Sequence, residues 1–309
     1  MIFAVRAIMV SLAFFALLYT FLSLILVLAW SQFSRKLNKR LPADGLFMLR
    51  VAPFAISAAV SLFLILPSFI VLETHSMDED IGTFVLGLCA MLFLSVGLFR
   101  VVIAEVRTRR IVKACLEGAV EFKSGDITRA VITPKNVSPL MMVGIRVSRI
   151  LISQSTHRIL SDAELLVAVR HEAQHLRARD NLKKAIFNCL AFPGVAGLEA
   201  AWQEAAELSA DNAAVSSRSE ALDLAAALIK LSRHSSHLTM PVFAIGLIND
   251  RETTTKRVEH LLEWKEAREV ASGRWRYAVL AACATSVAVA MKLGPVLILF
   301  HSITERFVP

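Results

Sequence analysis

The stretch Ser161-Asp-Ala-Glu-Leu-Leu-Val-Ala-Val-Arg-His-Glu-Ala-Gln-His175 decides how this sequence folds around its most informative residues. Ser161 and Glu164 form a capping box, in which each side chain accepts a hydrogen bond from the backbone N–H of the other residue. Apolar residues then recur at helical spacing. The pattern therefore predicts a helix that begins after Ser161 and runs to about Arg179.

Two histidines on this predicted helix, His171 and His175, are four residues apart and project from the same face. Both imidazoles can therefore reach one metal ion. Glu172 lies about 100° further round the helix axis, where its carboxylate can accept a proton from water beside that ion. Because zinc polarises a scissile carbonyl and acidifies water, the motif predicts zinc-dependent hydrolysis with Glu172 as the general acid–base residue.

A catalytic zinc ion needs a third protein ligand and an open position. A second helix is predicted over residues 199–215, and it places Glu207 and Asp211 one turn apart on one face. We assign Glu207 as the third ligand and Asp211 as the outer acceptor that orients a ligand histidine. Glu204, one turn earlier, is the alternative ligand.

The sequence around these motifs is unusually apolar, with 56% hydrophobic residues and a mean hydropathy of +0.58. Segments 7–30, 51–72 and 81–99 each have about the length of a membrane-spanning helix, and 277–300 is predicted to be a fourth. A signal peptide is the competing interpretation of the first segment. Its apolar run is too long for one, and no small-residue cleavage site follows.

Charge asymmetry between the loops predicts the orientation in the membrane. Residues 31–50 contain five Lys and Arg, whereas the acidic stretch 73–80 contains none. Under the positive-inside rule the first loop is cytoplasmic, and so is the mixed-polarity stretch 107–276. Both termini are then extracytoplasmic.

The predicted fold class is an α-helical membrane protein with four transmembrane helices and a cytoplasmic α+β zincin-like metallopeptidase domain. The predicted units are three spans within residues 1–106, the peptidase domain at 107–276, the fourth span at 277–300 and a short extracytoplasmic tail at 301–309. Lys292 in the fourth span lies near enough to its outer end to reach the interface.

Within the soluble part, residues 120–132 and 145–153 are rich in β-branched residues and are predicted to form strands. The second of these is a candidate edge strand that binds an extended substrate by main-chain pairing. A third helix is predicted over 219–231. Residues that could stabilise an oxyanion or contact substrate are Arg257 and His260, with His234 and His237 as weaker candidates.

Other features of the composition exclude some classes of protein. The net charge is +8, but no basic stripe interleaved with aromatic residues is present, so direct nucleic-acid binding is not expected. The four cysteines, Cys89, Cys115, Cys189 and Cys283, form no CxxC pair and are assigned to packing. The three N-terminal spans lack the buried acidic pairs of an ion pathway, which argues against a transporter or channel.

The run His171-Glu-Ala-Gln-His175-Leu-Arg-Ala-Arg-Asp180-Asn181-Leu182, followed by Glu207 and Asp211, resembles the membrane gluzincins of the β-lactam receptor and antirepressor-protease type (BlaR/MecR type), peptidase family 56. The resemblance extends over about 138–262. It implies a zinc endopeptidase in the bacterial inner membrane that cleaves a protein, with a transcriptional repressor as one candidate substrate. The receptors carry an extracellular sensor domain after the last span, and we expect this chain to lack one.

Two alternatives share parts of this pattern. Membrane peptidases of the prenyl-protease and heat-shock type also combine HExxH with ExxxD, although Asp180-Asn181 favours the first family. A non-catalytic signalling protein that keeps zinc as a structural staple is the other alternative. Such a protein has no need of Glu172, and structural zinc sites are usually closed by four ligands rich in cysteine.

Overall fold

The computed structural model describes residues 2–38, 41–72, 81–124, 127–134, 139–145, 147–234, 244–246 and 251–265. Most of these residues are helical, and one small mixed sheet is present. The predicted fourth span at 277–300, with Lys292 and Cys283, lies outside the described residues, as does the predicted tail at 301–309.

Three helical rods are long and apolar enough to cross a membrane. They are α1 (Ile2–Asn38), the rod formed by α2 (Ala43–Val60), a π-helical turn (Ser61–Ile65) and α3 (Leu66–Leu72), and α4 (Ile81–Leu116). In their most apolar windows only 28%, 28% and 17% of the residues are buried. Because so much of their apolar surface faces outward, this is a membrane protein.

The rods extend beyond the predicted spans. The predicted basic loop at 31–50 is mostly helical, since α1 continues to Asn38 and α2 begins at Ala43. Arg50, counted above as a loop charge, lies within α2 and is 1% exposed. Hydropathy marks only the part of a helix that suits hydrocarbon, whereas helical hydrogen bonding continues into polar sequence.

α4 connects the membrane part of the chain to the sheet. Its 36 residues span about 54 Å, well beyond the roughly 30 Å of a hydrocarbon core. The helix therefore continues past Phe99, where the predicted span ends. Near its carboxyl end Cys115 is buried with Val112 and Leu116 against sheet residues that include Met141 and Leu151.

The sheet has the strand order β1-β2-β4-β3-β5. Its strands are β1 (Val120–Ser124), β2 (Ile127–Thr133), β3 (Leu140–Val143), β4 (Arg149–Ser153) and β5 (Ala244–Gly246). β1 and β2 form an antiparallel pair, β2 is parallel to β4, and β3 is antiparallel to both β4 and β5. Among the described strands, β1 and β5 are the edges.

Two strand predictions are corrected by this topology. The predicted strand at 120–132 is two paired strands, and only the second half of the predicted strand at 145–153 is extended. The edge-strand prediction for 145–153 is wrong, because β4 is paired on both sides, with β2 and β3. Gly144, with a φ of +91°, ends β3 and turns the chain into β4.

The other face of the sheet packs against helices. α6 (Asp162–Ala178), which follows β4 through the short helix α5 (Gln154–Ile159), lies against the strands, and α9 (Arg218–His234) and α10 (Arg251–Leu262) extend the same apolar core. Leu165 and Val169 of α6 lie in one apolar core with Leu228 of α9 and Ile150 of β4. The predicted capping box is confirmed: the Ser161 hydroxyl accepts from the Glu164 N–H, and Glu164 accepts from the Ser161 N–H.

A helical hairpin, α7 (Asp180–Cys189) and α8 (Ala196–Ala214), inserts among the membrane rods. At its tip the Tyr19 hydroxyl of α1 donates to the Leu190 carbonyl at 2.9 Å. Phe192 packs edge-on against the Tyr19 ring. At Gly194, where φ is +87°, a Cβ atom would lie 2.8 Å from Val27 Cγ1. The hairpin is thus in direct contact with the spans, and it carries residues of the site described next.

Candidate metal centre

Three side chains from two helices converge at one buried point. His171 and His175 project from one face of α6, and Glu207 comes from α8. The Nε2 atoms of the two histidines are 3.1 Å apart, and Glu207 Oε2 lies 3.5 Å from that of His171 and 3.7 Å from that of His175. Within the described part of the chain, this is the one cluster that could hold a metal ion.

The spacing of these atoms suits a tetrahedral metal ion. Ligand atoms about 2.0–2.1 Å from a tetrahedral centre are separated from each other by roughly 3.3 Å. The observed separations of 3.1, 3.5 and 3.7 Å lie on either side of that value. Two imidazoles and one carboxylate can therefore bind one ion together and leave one tetrahedral position open.

A carboxylate oxygen lies close to the Nδ1 atom of each imidazole. His175 Nδ1 lies 2.8 Å from Asp180 Oδ2 at the start of α7. His171 Nδ1 lies 2.9 Å from Asp211 Oδ1, although outside the angle of a well-aligned hydrogen bond. With Nδ1 occupied in this way, both rings present Nε2 to the shared point.

Glu172 is fully buried beside the histidines. Its Oε2 accepts a hydrogen bond of 2.8 Å from the Met142 N–H of β3, while its Oε1 has no hydrogen-bond partner among the described residues. Burial raises the pKa of Glu172 to about 7, against the opposing charges of His171 and His175. A carboxyl group with a pKa near neutrality can both accept and donate a proton at physiological pH.

Arg257 of α10 joins the two carboxylates on α8. Its Nε and Nη2 lie 2.7 and 2.6 Å from the two oxygens of Asp211, and its Nη1 lies 3.0 Å from Glu207 Oε2. Burial alone would raise the pKa of Glu207, but the Arg257 guanidinium holds it well below its usual value. The same opposition lowers the pKa of Asp211. Both carboxylates are therefore ionised at neutral pH.

The charge on His175 depends on the same carboxylates. Burial alone would lower the pKa of this imidazole, but the Glu207 carboxylate and the hydrogen bond with Asp180 raise it to about 10. A proton on His175 and a metal ion on the same ring compete directly.

Several predicted site residues lie away from this cluster. Glu204 is 37% exposed, and its nearest cationic partner is Lys256 Nζ at 3.9 Å. His260 Nε2 lies 2.9 Å from Asn212 Oδ1 in an exposed hydrogen bond. The side chain of His234 and all of His237 lie outside what the structure describes. Glu207, not Glu204, is the carboxylate that lies beside the histidines.

Some residues at the site had no role assigned from sequence. Asp180 directly follows Arg179, whose φ of +56° ends α6 and turns the chain so that the carboxylate returns to His175. Asn181 Nδ2 donates to the Gly144 carbonyl at 2.9 Å and so joins α7 to the end of β3. The one available signal was the position of Asp180-Asn181 just after the histidine motif.

A cavity of about 510 Å³ opens beside the cluster. It runs between the end of α6 and the turn from β3 to β4, and Met142, Leu176 and Asn181 line it together with the arginines Arg177 and Arg179. Met142 also donates its N–H to Glu172, so one residue of β3 both lines the cavity and contacts the candidate acid–base residue.

Comparison with known proteins identifies the family. The model of the family described as BlaR1 peptidase M56 matches residues 81–261, which is more than half of the chain. This chain belongs to that family, so it is a membrane peptidase with a candidate metal-binding triad. No curated protein matches it. The matched range begins with α4 and ends in α10, and therefore includes every residue of the cluster described above.

Proposed function

We propose that this protein is a zinc-dependent endopeptidase whose metal ligands are His171, His175 and Glu207. The observation that carries the proposal is the near-tetrahedral spacing of the three ligand atoms beside the buried carboxylate of Glu172. Two imidazoles with one carboxylate are a ligand set typical of catalytic zinc. Calcium and magnesium prefer six or more ligands that are mostly oxygen atoms, so the site suits them poorly.

The protein groups then have distinct roles. Zinc, when bound, supplies Lewis-acid polarisation of the scissile carbonyl and of the attacking water. Glu172 accepts the proton of that water and delivers it to the leaving amine. The Met142 N–H fixes one oxygen of Glu172 and leaves the other to exchange the proton.

The surrounding residues hold this arrangement in place. Asp180 and Asp211 orient the two imidazoles, and Arg257 holds Glu207 and Asp211 on α8. Since Arg257 makes short contacts with both carboxylates, we propose positioning as its main role. His260, which is hydrogen-bonded to Asn212, remains a candidate for a substrate contact.

We propose that the peptidase part is cytoplasmic and that the substrate is a protein of the cytoplasm or the membrane surface. The support is the charge pattern: basic residues gather at 35–40, whereas 73–80 is acidic. The cavity lined by Met142 and Asn181 is the candidate site for a substrate side chain. The cleaved protein could be a transcriptional repressor or a membrane protein subject to turnover.

Replacing Glu172 separates catalysis from metal binding. Glu172→Gln keeps the shape of the side chain but removes the basic carboxylate, so zinc should stay bound at close to one equivalent. Proteolysis of casein by the detergent-solubilised chain should fall by about a hundredfold to ten-thousandfold. Zinc content by atomic absorption and fragment release measure the two effects.

Ligand variants provide the contrast for this experiment. His171→Ala and Glu207→Ala should lose zinc together with activity, whereas Glu204→Ala should keep both. Wild-type cleavage by Glu172→Gln would remove the hydrolytic assignment and favour the alternative of a zinc-stapled signalling protein.

The substrate class can be found in cells. New amino termini of cellular proteins can be compared between cells with the wild-type chain and cells with Glu172→Gln. Those that appear only with the wild type identify the cleaved proteins. Fragments of a transcriptional repressor would support a signalling role, and fragments of many membrane proteins would support turnover.

A further inference from the structure

The rod that begins with α2 holds two charged side chains that contact opposite arms of the α7–α8 hairpin. Asp44 lies in the first turn of α2, and Arg50 follows further along the same helix. Asp44 contacts α7 and Arg50 contacts α8, and the two ion pairs have opposite polarity. Arg50 is 1% exposed within an apolar rod, where a charge is costly unless it is well paired and usually serves function.

On the α7 arm, a chain of charged groups leads from α2 to a metal ligand. Lys183 Nζ lies 3.0 Å from Asp44 Oδ1 and 3.1 Å from Asp180 Oδ1. The other oxygen of Asp180 lies 2.8 Å from His175 Nδ1. Lys183 therefore ties the carboxylate that orients His175 to the membrane rod.

Arg50 holds the hairpin at two points, one on α8 and one at Leu190, directly after α7. Its Nε donates to Glu199 Oε1 at 2.8 Å, and its Nη2 donates to the Leu190 carbonyl at 2.6 Å. Glu199 and Glu207 lie eight residues apart on one continuous helix, so a shift of α8 at Glu199 moves the third ligand with it. Phe187 and Trp202 pack edge-on at 5.0 Å and fill the space between the arms.

We propose that α2 positions the metal site by gripping both arms of this hairpin, with Asp44, Lys183, Arg50 and Glu199 as positioning residues. The inference rests on the proposed function in that the affected group is the zinc centre. A movement of α2 changes the separation between His175 and Glu207, because each is tied to it through a different arm. Charged contacts also fix the register of packed helices more narrowly than apolar contacts do.

The test measures zinc affinity of the full chain in lipid nanodiscs, by competition with a chromophoric chelator. Asp44→Asn and Glu199→Gln each remove one charge without changing shape, and neither residue belongs to the metal-ligand cluster. Loss of an outer contact to a metal ligand costs about tenfold to a hundredfold in affinity, and these contacts lie one step further out. We expect each variant to bind zinc about threefold to tenfold more weakly, and the double variant more weakly still.

Glu204→Gln is the matched control. It makes the same chemical change on α8, closer in sequence to Glu207 than Glu199 is, but on a side chain that is 37% exposed and paired with α10 instead of α2. Its zinc affinity should equal that of the wild type. The conservative variant Lys183→Arg, which keeps the charge between Asp44 and Asp180, should retain most of the affinity.

Thermal unfolding of the zinc-free variants, followed by circular dichroism, shows whether they are folded. If either of the two single variants is unfolded, Arg50→Lys replaces it, because it keeps the positive charge on α2 but loses one of the two hydrogen bonds from α2 to the hairpin. Folded variants that bind zinc as tightly as the wild type overturn the positioning role and leave the proposed function intact. A wild-type chain that binds no zinc overturns both.

Discussion

At His175, one buried imidazole lies between two carboxylates, Glu207 and Asp180. A metal ion bound at Nε2 of His175 would compete with a proton for that atom. The residue-scale chemistry of this site is therefore a competition between a proton and a metal ion. It should be visible in the pH dependence of the zinc-free and zinc-bound chains.

The zinc-free chain should lose stability as pH rises above neutrality. The pKa of His175 is about 10 in the folded chain against an ordinary 6.5, so the stabilisation is complete below pH 6.5 and is lost as pH rises toward 10. Between pH 7.5 and 9.5 the free energy of unfolding should fall on the order of 2 kcal/mol. Denaturant titrations of the chelator-treated chain measure this.

His175→Gln should abolish most of that pH dependence. Over the same range the zinc affinity of the wild type should rise with pH, because the competing proton becomes easier to displace. If the zinc-free wild type and His175→Gln show the same dependence of stability on pH, His175 is neutral in the folded chain over this range. Glu172 contributes little to the change in stability between pH 7.5 and 9.5, because its pKa of about 7 places its titration below this range.

The candidate ligands could be brought together from sequence because they follow local rules. His171 and His175 lie on one face through the period of the helix, and the pair Glu207 and Asp211 does so on a second helix. Asp180 and Arg257 were harder to assign, because their roles depend on where a chain turn and a distant helix place them. Only the folded chain shows that Arg257 pairs with both carboxylates of α8.

At the scale of elements, the contact between α4 and the hairpin depends on a glycine. A Cβ atom at Gly97 would collide with the carbonyl oxygen of Cys189, so the two backbones lie closer than any side chain allows. Close approach of helices through small residues is a common means of packing in membranes.

Gly97→Val should therefore destabilise the chain by forcing α4 away from α7. Overpacking of this kind typically costs about 1–3 kcal/mol. Ser95→Val is the control, because it introduces the same side chain on α4 at an exposed position. Unfolding of both variants in detergent measures the difference, and equal stability would contradict the close contact.

The strands were less predictable than the helices. Residues 120–132 contain enough β-branched residues for one long strand, yet the chain folds back to form β1 and β2. β4 appeared to be an edge strand but is central, because β3 and β2 pair with it from either side. Strand composition indicates that a segment is extended, but pairing partners are set by distant parts of the chain.

At the scale of the whole molecule, the charge pattern should set one orientation in the membrane. A fluorescent protein fused after Trp264 should be fluorescent, and alkaline phosphatase at the same point should be inactive, because this part of the chain is proposed to be cytoplasmic. Fusions within residues 73–80 should give the opposite pair of results. Active phosphatase after Trp264 would reverse the proposed topology.

The sequence by itself determined the three apolar rods and the capped helix that carries the histidine motif. It also determined that the two histidines lie on one helix and Glu207 on another. Each of these depends on contacts or periodicity within a few turns, or on the transfer of one segment into lipid. The free-energy contributions of such local interactions add up segment by segment. They can therefore be evaluated without knowing the tertiary fold.

Only the tertiary structure decided that Arg50 is a buried partner of Glu199, that β4 is central and that the α7–α8 hairpin enters the membrane rods. Each of these joins residues far apart in sequence. A buried charge or an inserted hairpin is stable only when its partner is already in place, so its position follows from the packing of the whole chain and from no single segment.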